Sequence, residues 1–204
     1  MINNLSELII IIPVLLFSLT IHEYSHGKAA FSLGDPTAKN AGRLTMNPIS
    51  HIDPIGAICL FLFHFGWAKP VPVDTRYFKN PKRDIIIMAL SGPISNFAAA
   101  MTASLFYRFL PLEIAFYKLL LIYLILFNVA LGLFNLLPIP PLDGSHVMEN
   151  LLPRNAAFRY RQIGRHAPFI LIGILLADRF LHLDILGKVL NYPISFIVGL
   201  LIGS

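Results

Sequence analysis

The amino-acid sequence predicts an all-α protein built into a membrane. It has a core of three transmembrane helices, a re-entrant or interfacial hairpin, and two further transmembrane helices toward the C-terminus. Three observations carry that class. Of the 204 residues, 56% are hydrophobic and 13% charged, whereas a soluble domain carries roughly a quarter charged residues. The mean hydropathy of +0.69 is gathered into several long runs, which a soluble core of this size does not need. The net charge of +5 is spread over the connections between those runs, as the positive-inside rule requires of a membrane protein. This distribution excludes a nucleic-acid-binding patch and names the lipid bilayer as the partner of the apolar runs. The single cysteine, Cys59, rules out an internal disulfide. The length suggests one integral membrane domain over 1–204, with a core from about 5 to 150 and a C-terminal transmembrane pair from about 165 to 204.

The first helix spans Leu5 to Leu33, and Gly34-Asp35-Pro36 stops it. It lacks a basic stretch ahead of its apolar run, so it reads as a span and not as a cleaved signal. A polar connection follows from Thr37 to Pro48. The apolar run from Ile55 to Trp67 is too short to cross comfortably and is cut by His64, Gly66 and Pro70. It predicts a hairpin whose backbone is satisfied by protein or water. The second span, Ile85 to Tyr107, holds no charge, and Pro111 and Glu113 mark a turn. The third runs from Lys118 to Leu137, where Pro138, Pro140 and Pro141 end it. Residues 167–182 and 185–203 offer two shorter spans.

Orientation follows from lysine and arginine. The segments Lys28–Arg43, Lys69–Arg83 and Arg154–Arg165 are basic, whereas the N-terminus and the turn at 110–113 carry almost no such charge. All three basic segments share a side only if 55–67 does not cross. The N-terminus is then outside and the basic loops are cytoplasmic.

Within the first helix stands HEYSH, from His22 to His26. Ionisable groups at bilayer depth are costly and face a polar interior or a partner. His22 and His26, four apart, share one helix face and can grip one ion. Glu23, between them, can take a proton from a water at that ion, the chemistry of HExxH. From Leu8 to His22 is about 21 Å of helix, which sets the site inside the membrane, nearer the cytoplasmic face. A catalytic zinc needs a third protein ligand, and Asp143, Asp53, His51, His64 and His146 are the candidates. Asp143 arrives at the right depth if the third span runs inward. The prolines of FNLLPIPPLDG deny that segment a helix and predict a rigid extended strand, while Asp143-Gly144 also reads as an ordinary turn. His51 and His146 read as cytoplasmic-face residues without a metal role, and His64 as a hairpin cap or headgroup contact.

HEYSH together with NLLPIPPLDG resembles the site-2 protease family of intramembrane zinc metalloproteases. GRLTMNP (Gly42–Pro48), HIDPIG (His51–Gly56), GWAKPVPV (Gly66–Val73) and SGPISN (Ser91–Asn96) are similar to its compact prokaryotic branch. The resemblance covers about residues 15 to 150. It implies one zinc ion held by His22, His26 and Asp143, with Glu23 activating the water. It also implies that Asn135 positions substrate or stabilises the oxyanion, as an amide donor can. An interhelical hydrogen bond is the plainer role for that asparagine. No segment is long enough for a PDZ domain. SGPISN reads as small residues for close packing and a proline kink, with no chemistry assigned.

The expected function is hydrolysis of peptide bonds within or beside transmembrane segments of membrane-protein substrates, in a prokaryotic cell (inner) membrane. The substrate is unwound locally, and the hairpin can accept it by strand addition. A membrane zinc-binding or zinc-transport protein and a catalytically silent scaffold are the other classes the ligands allow. Neither gives Glu23 a specific task. The sequence leaves substrate identity and oligomeric state open.

Overall fold

The computed structural model describes residues 5–63, 66–110, 114–164, 166–181 and 183–203. The described residues form helices and connections, with one isolated antiparallel bridge, Ile52 to Ala68. Helix α1 covers Leu5–Ser32 and ends because Gly34 turns with φ +109°. Asp35 behind it is fully buried, accepting the Thr37 amide at 2.9 Å and the Asp74 amide at 2.8 Å. A short helix α2 (Thr37–Asn40) and a 3-10 turn (Pro48–His51) lead to α3, Pro54–Phe63. Helices α4 (Pro81–Phe109) and α5 (Ala115–Asn135) are the next two long elements. Pro81 starts α4, and the Asp84 carboxylate reaches back to the Asn80 amide at 2.9 Å, half of a capping box. Beyond them come α6 (Asp143–Leu151), α7 (Arg154–Gly164), α8 (Ala167–Leu181) and α9 (Ile185–Ile202).

The core lies where α1, α4, α5 and α9 meet. Ala100 and Ala103 of α4 pack on Ile125 and Val129 of α5, with Ile194, Ile197 and Val198 of α9 against them. In lipid there is little hydrophobic drive between helices, so small residues that allow close approach carry such contacts. Polar clamps add direction. The Ser104 hydroxyl and Arg108 Nε donate to the Leu201 carbonyl at 2.6 and 2.8 Å, and Arg108 Nη2 donates to Leu200. These bonds satisfy carbonyls at the end of α9 that have no partner within the helix.

Among the described residues, four helices are long and apolar enough to cross: Leu8–Ser32, Pro81–Phe109, Ala115–Asn135 and Ile185–Ile202. Because α9 ends beside the end of α4, it begins on the side where α5 ends. Helix α8 is the shorter of the two C-terminal helices. Its 15 residues make about 22 Å of helix, short of the roughly 30 Å hydrocarbon core. So of the two C-terminal segments expected to cross, 185–203 has the length and 167–182 does not. Asp178 of α8 joins the pair by accepting the Ile185 and Leu186 amides at 2.8 and 2.9 Å, at the start of α9.

The 55–67 hairpin is a helix followed by an extended return. Asp53 caps α3 by accepting the Ile55 and Gly56 amides, each at 2.9 Å. Lys69 then donates to the His51 carbonyl at 2.9 Å. The two arms touch at glycines: a Cβ on Gly56 would lie 2.2 Å from the Trp67 carbonyl oxygen, and one on Gly66 would lie 2.2 Å from that of Gly56. His64, Phe65 and the expected turn at Pro111 to Glu113 lie outside the described residues.

Candidate metal centre

His22 and His26 stand one turn apart on α1 with their Nε2 atoms 3.0 Å from each other. Asp143 Oδ2 is 3.1 Å from His22 Nε2 and 3.2 Å from His26 Nε2, and the three side chains form a metal-sized group. Asp143 gets there because the chain after α5 folds back on itself. The expected extended strand at 138–142 is instead a run of tight turns, with Ile139 donating to Leu137 at 2.8 Å and Leu142 to Ile139 at 2.9 Å. The Pro140–Pro141 peptide is cis. Asp143 is the first residue of α6, not part of a loop turn. Gly144 follows it because a Cβ there would sit 2.2 Å from the Leu136 carbonyl oxygen.

Helix α4 forms the wall behind the histidines. His26 Nδ1 donates to the Met88 carbonyl at 2.8 Å, so its Nε2 carries the lone pair. His22 Nδ1 lies 2.6 Å from Asn96 Oδ1. Gly92 leaves room for both rings, since a Cβ on it would come within 2.4 Å of His26 Nε2 and 2.7 Å of His22 Cε1. SGPISN is thus the cradle of the histidines.

These residues fit a cation. Among the described residues Asp143 Oδ2 is buried and accepts no hydrogen bond, although two imidazole nitrogens stand 3.1 and 3.2 Å away. A carboxylate oxygen facing unprotonated nitrogens is repulsive until a positive charge enters between them. The three separations approach the roughly 3.3 Å edge of a tetrahedron with bonds of about 2.0 Å, the geometry of zinc with nitrogen and oxygen ligands.

Glu23 lines the same cavity of about 800 Å³, with Trp67, Val71, Asn135 and His146 on its walls. Its Oε2 accepts the Val71 amide at 3.0 Å, so the hairpin return fixes the carboxylate beside the histidines. The return is a poor template for strand addition. The Lys69 and Val71 amides are spent on His51 and Glu23, while Pro70 and Pro72 have no amide hydrogen. Asn135 sits on the cavity wall, its Nδ2 donating to the Leu131 carbonyl at 3.0 Å. The other candidates stand apart from the group. Asp53 caps α3, His51 is buried with Nε2 donating to the Thr45 carbonyl at 2.9 Å, and His146 faces the cavity from α6. His64 lies outside the described residues. Sequence reasoning gave no role to Asn96 and Asn128, both fully buried. The available signal was an asparagine deep in each of two strongly apolar spans, where a buried amide needs a partner.

A histidine pair and an aspartate closing on one point inside a bundle of long apolar helices, with a carboxylate alongside, define an intramembrane zinc metalloprotease. The chain belongs to peptidase family M50, the site-2 protease family, whose model matches residues 112–176. YwhC of Bacillus subtilis (strain 168), described as a candidate zinc metalloprotease, is 39% identical over 153 residues, covering 70% of this chain and 69% of the relative. Rip2 of Mycobacterium tuberculosis (strain H37Rv), described in the same way, is 32% identical over 149 residues, and Rip2 of Mycolicibacterium smegmatis 30% over 148. Each match covers 69% of this chain and 56% of Rip2, so the chain spans little more than half the length of those two relatives. No solved structure matches the chain.

Proposed function

We propose that the chain holds one zinc ion through His22, His26 and Asp143 and cuts membrane-protein substrates within or beside their transmembrane segments. The observation that carries this is the convergence of two imidazole nitrogens and an orphaned carboxylate oxygen beside Glu23. Bound zinc supplies Lewis acidity to a water and to the scissile carbonyl. Glu23 takes the proton of the attacking water and hands it to the leaving amine. The Asn135 amide donates to the oxygen on which negative charge develops, turning from the Leu131 carbonyl that it bonds in the absence of substrate. The cavity accepts a segment unwound from its helix, because carbonyls still bonded within a helix are shielded from attack. Purified protein with a labelled transmembrane peptide, cleaving without chelator and silent with it, tests this reading. A peptide left intact by the zinc-loaded protein overturns it.

Val71→Pro isolates the hairpin's part. It removes the amide that donates to Glu23, and the neighbours Pro70 and Pro72 already favour extended backbone. Zinc content should be unchanged and the cleavage rate lower by roughly 10–100-fold, the worth of a hydrogen bond to a charged group. An unchanged rate removes the hairpin from the mechanism.

We assign the basic connections, 33–80 and 136–184, to the cytoplasmic side of the membrane. In a Cys59→Ser background, cysteines at Asn80 and Asn155 should label only from the cytoplasm, and one at Leu110 only from outside. Labelling of position 80 from outside reverses the orientation.

A further inference from the structure

We propose that Asn96 and Asn128 form a two-amide relay that locks His22 in its Nδ1–H tautomer, so that α4 and α5 decide where its lone pair points. The inference deepens the zinc reading above and rests on it. The relay is read from its fixed ends. Asn128 Nδ2 donates to the Leu124 carbonyl at 2.9 Å and to Ser18 Oγ at 2.8 Å. The Ser18 hydroxyl is itself spent on the Val14 carbonyl at 2.8 Å, so it can only accept from Asn128. Both hydrogens of the Asn128 amide are used, and its Oδ1 faces Asn96, accepting from Nδ2 at 2.8 Å. The second hydrogen of Asn96 goes to the Ser18 carbonyl at 3.0 Å. Asn96 Oδ1 is left facing His22 Nδ1 at 2.6 Å.

An amide oxygen cannot donate. His22 Nδ1 must therefore carry the hydrogen, and in a neutral imidazole Nε2 then carries the lone pair. Turning either amide over would press a carbonyl-type oxygen against the carbonyl of Leu124 or Ser18. Ser18, Asn96 and Asn128 are all 0% exposed, so no water would relieve that contact. His26 needs no such relay, because a backbone carbonyl of α4 sets its tautomer directly. The two histidines are locked independently, one by side chains that can be changed and one by backbone that cannot. Asn128 and Asn135 are seven apart on α5 and share a face, so the helix that anchors the relay also carries the amide assigned to substrate. Asn96 and Asn128 are positioning residues.

The test uses the full chain in nanodiscs with ¹⁵N-imidazole labelling, metal-free and near pH 8, above the ordinary imidazole range. Nitrogen shifts distinguish the tautomers, and single His→Gln variants assign the signals. His22 and His26 should both be Nδ1–H. Asn96→Leu, with no acceptor, should let His22 populate Nε2–H while His26 stays as it was. Zinc affinity, measured by chelator competition, should fall by roughly 10–100-fold, as when other outer-shell partners are lost. The tautomer of His22 is a readout that a purely packing role of Asn96 would not move. Asn128→Leu should loosen His22 less, because Asn96 keeps the Ser18 carbonyl. If Asn96→Leu does not fold, the parent spectrum and Asn128→Leu decide. An Nε2–H tautomer at His22 in the parent overturns the proposal, as does a folded Asn96→Leu protein with unchanged tautomer and affinity. An Asn128→Leu spectrum identical to the parent's overturns the two-amide form. Zinc binding that survives His22→Ala would instead overturn the ligand assignment, which the metal-free spectrum does not touch.

Discussion

Glu23→Gln should give a folded, zinc-loaded protein whose cleavage of a labelled transmembrane peptide is slower by roughly 10²–10⁴-fold, the usual worth of a general base. The substitution is unusually clean here. The carboxylate accepts a hydrogen bond from the Val71 amide, and a glutamine oxygen can accept the same bond, so the side chain should stay in place. The bound nitrogens and Asp143 are untouched, so zinc content should match the parent. What is lost is only the capacity to take a proton. Substrate should still enter the cavity, so the variant should retain the peptide as an isolable complex. If the protein were a zinc transporter, the parent would not cleave, and metal flux would follow changes in the ligands instead. Near-parental cleavage by the zinc-loaded variant would sink the mechanism.

Much of this architecture was legible because the signals were covalent or strongly patterned. Glycine and proline at 34–36 ended α1 to within a residue, and three prolines ended α5, since neither can be argued away by packing. The i, i+4 spacing of His22 and His26 fixes a shared face in any helix. The bundle brings Asp143 to them, one hundred and seventeen residues beyond His26.

Other features were set by tertiary structure. A run such as 167–182 is largely apolar, but the helix it forms, α8, has 15 residues, short of the hydrocarbon core. The prolines at 138–141 exclude helix, yet they are equally compatible with a strand or with the tight turns that deliver Asp143 at the head of α6. The hairpin return reads as a strand able to pair, until its amides are found spent on His51 and Glu23. Asn96 and Asn128 were visible as letters, but the order in which their hydrogens are used exists only in three dimensions.

Gly92→Ala should unload the metal about as thoroughly as removal of a ligand. In a helix interior this exchange is ordinarily favourable, by about 0.5–1 kcal/mol, so local propensity argues for a better protein. The site argues the reverse. The new methyl would stand 2.4 Å from His26 Nε2 and 2.7 Å from His22 Cε1, on the edges of the two rings that carry the Nε2 atoms facing Asp143. Neither ring can simply move away. His26 is tied to the Met88 carbonyl and His22 to Asn96, so relief must come from parting α1 and α4 or from turning a ring off its acceptor. Either route separates the donors, and zinc affinity should fall by at least the roughly 10–100-fold seen when outer-shell support is lost. Asp143→Ala sets the scale, because it removes an oxygen from a three-ligand site. His51→Ala should leave zinc content at the parental value, since that ring bonds Thr45 and stands apart from the group. Zinc content by mass spectrometry and affinity by chelator competition, read beside circular dichroism to confirm helix content, make the comparison. A Gly92→Ala protein that keeps full zinc affinity would mean that α4 does not press on the histidines, and the cradle assigned to SGPISN would have to be given up.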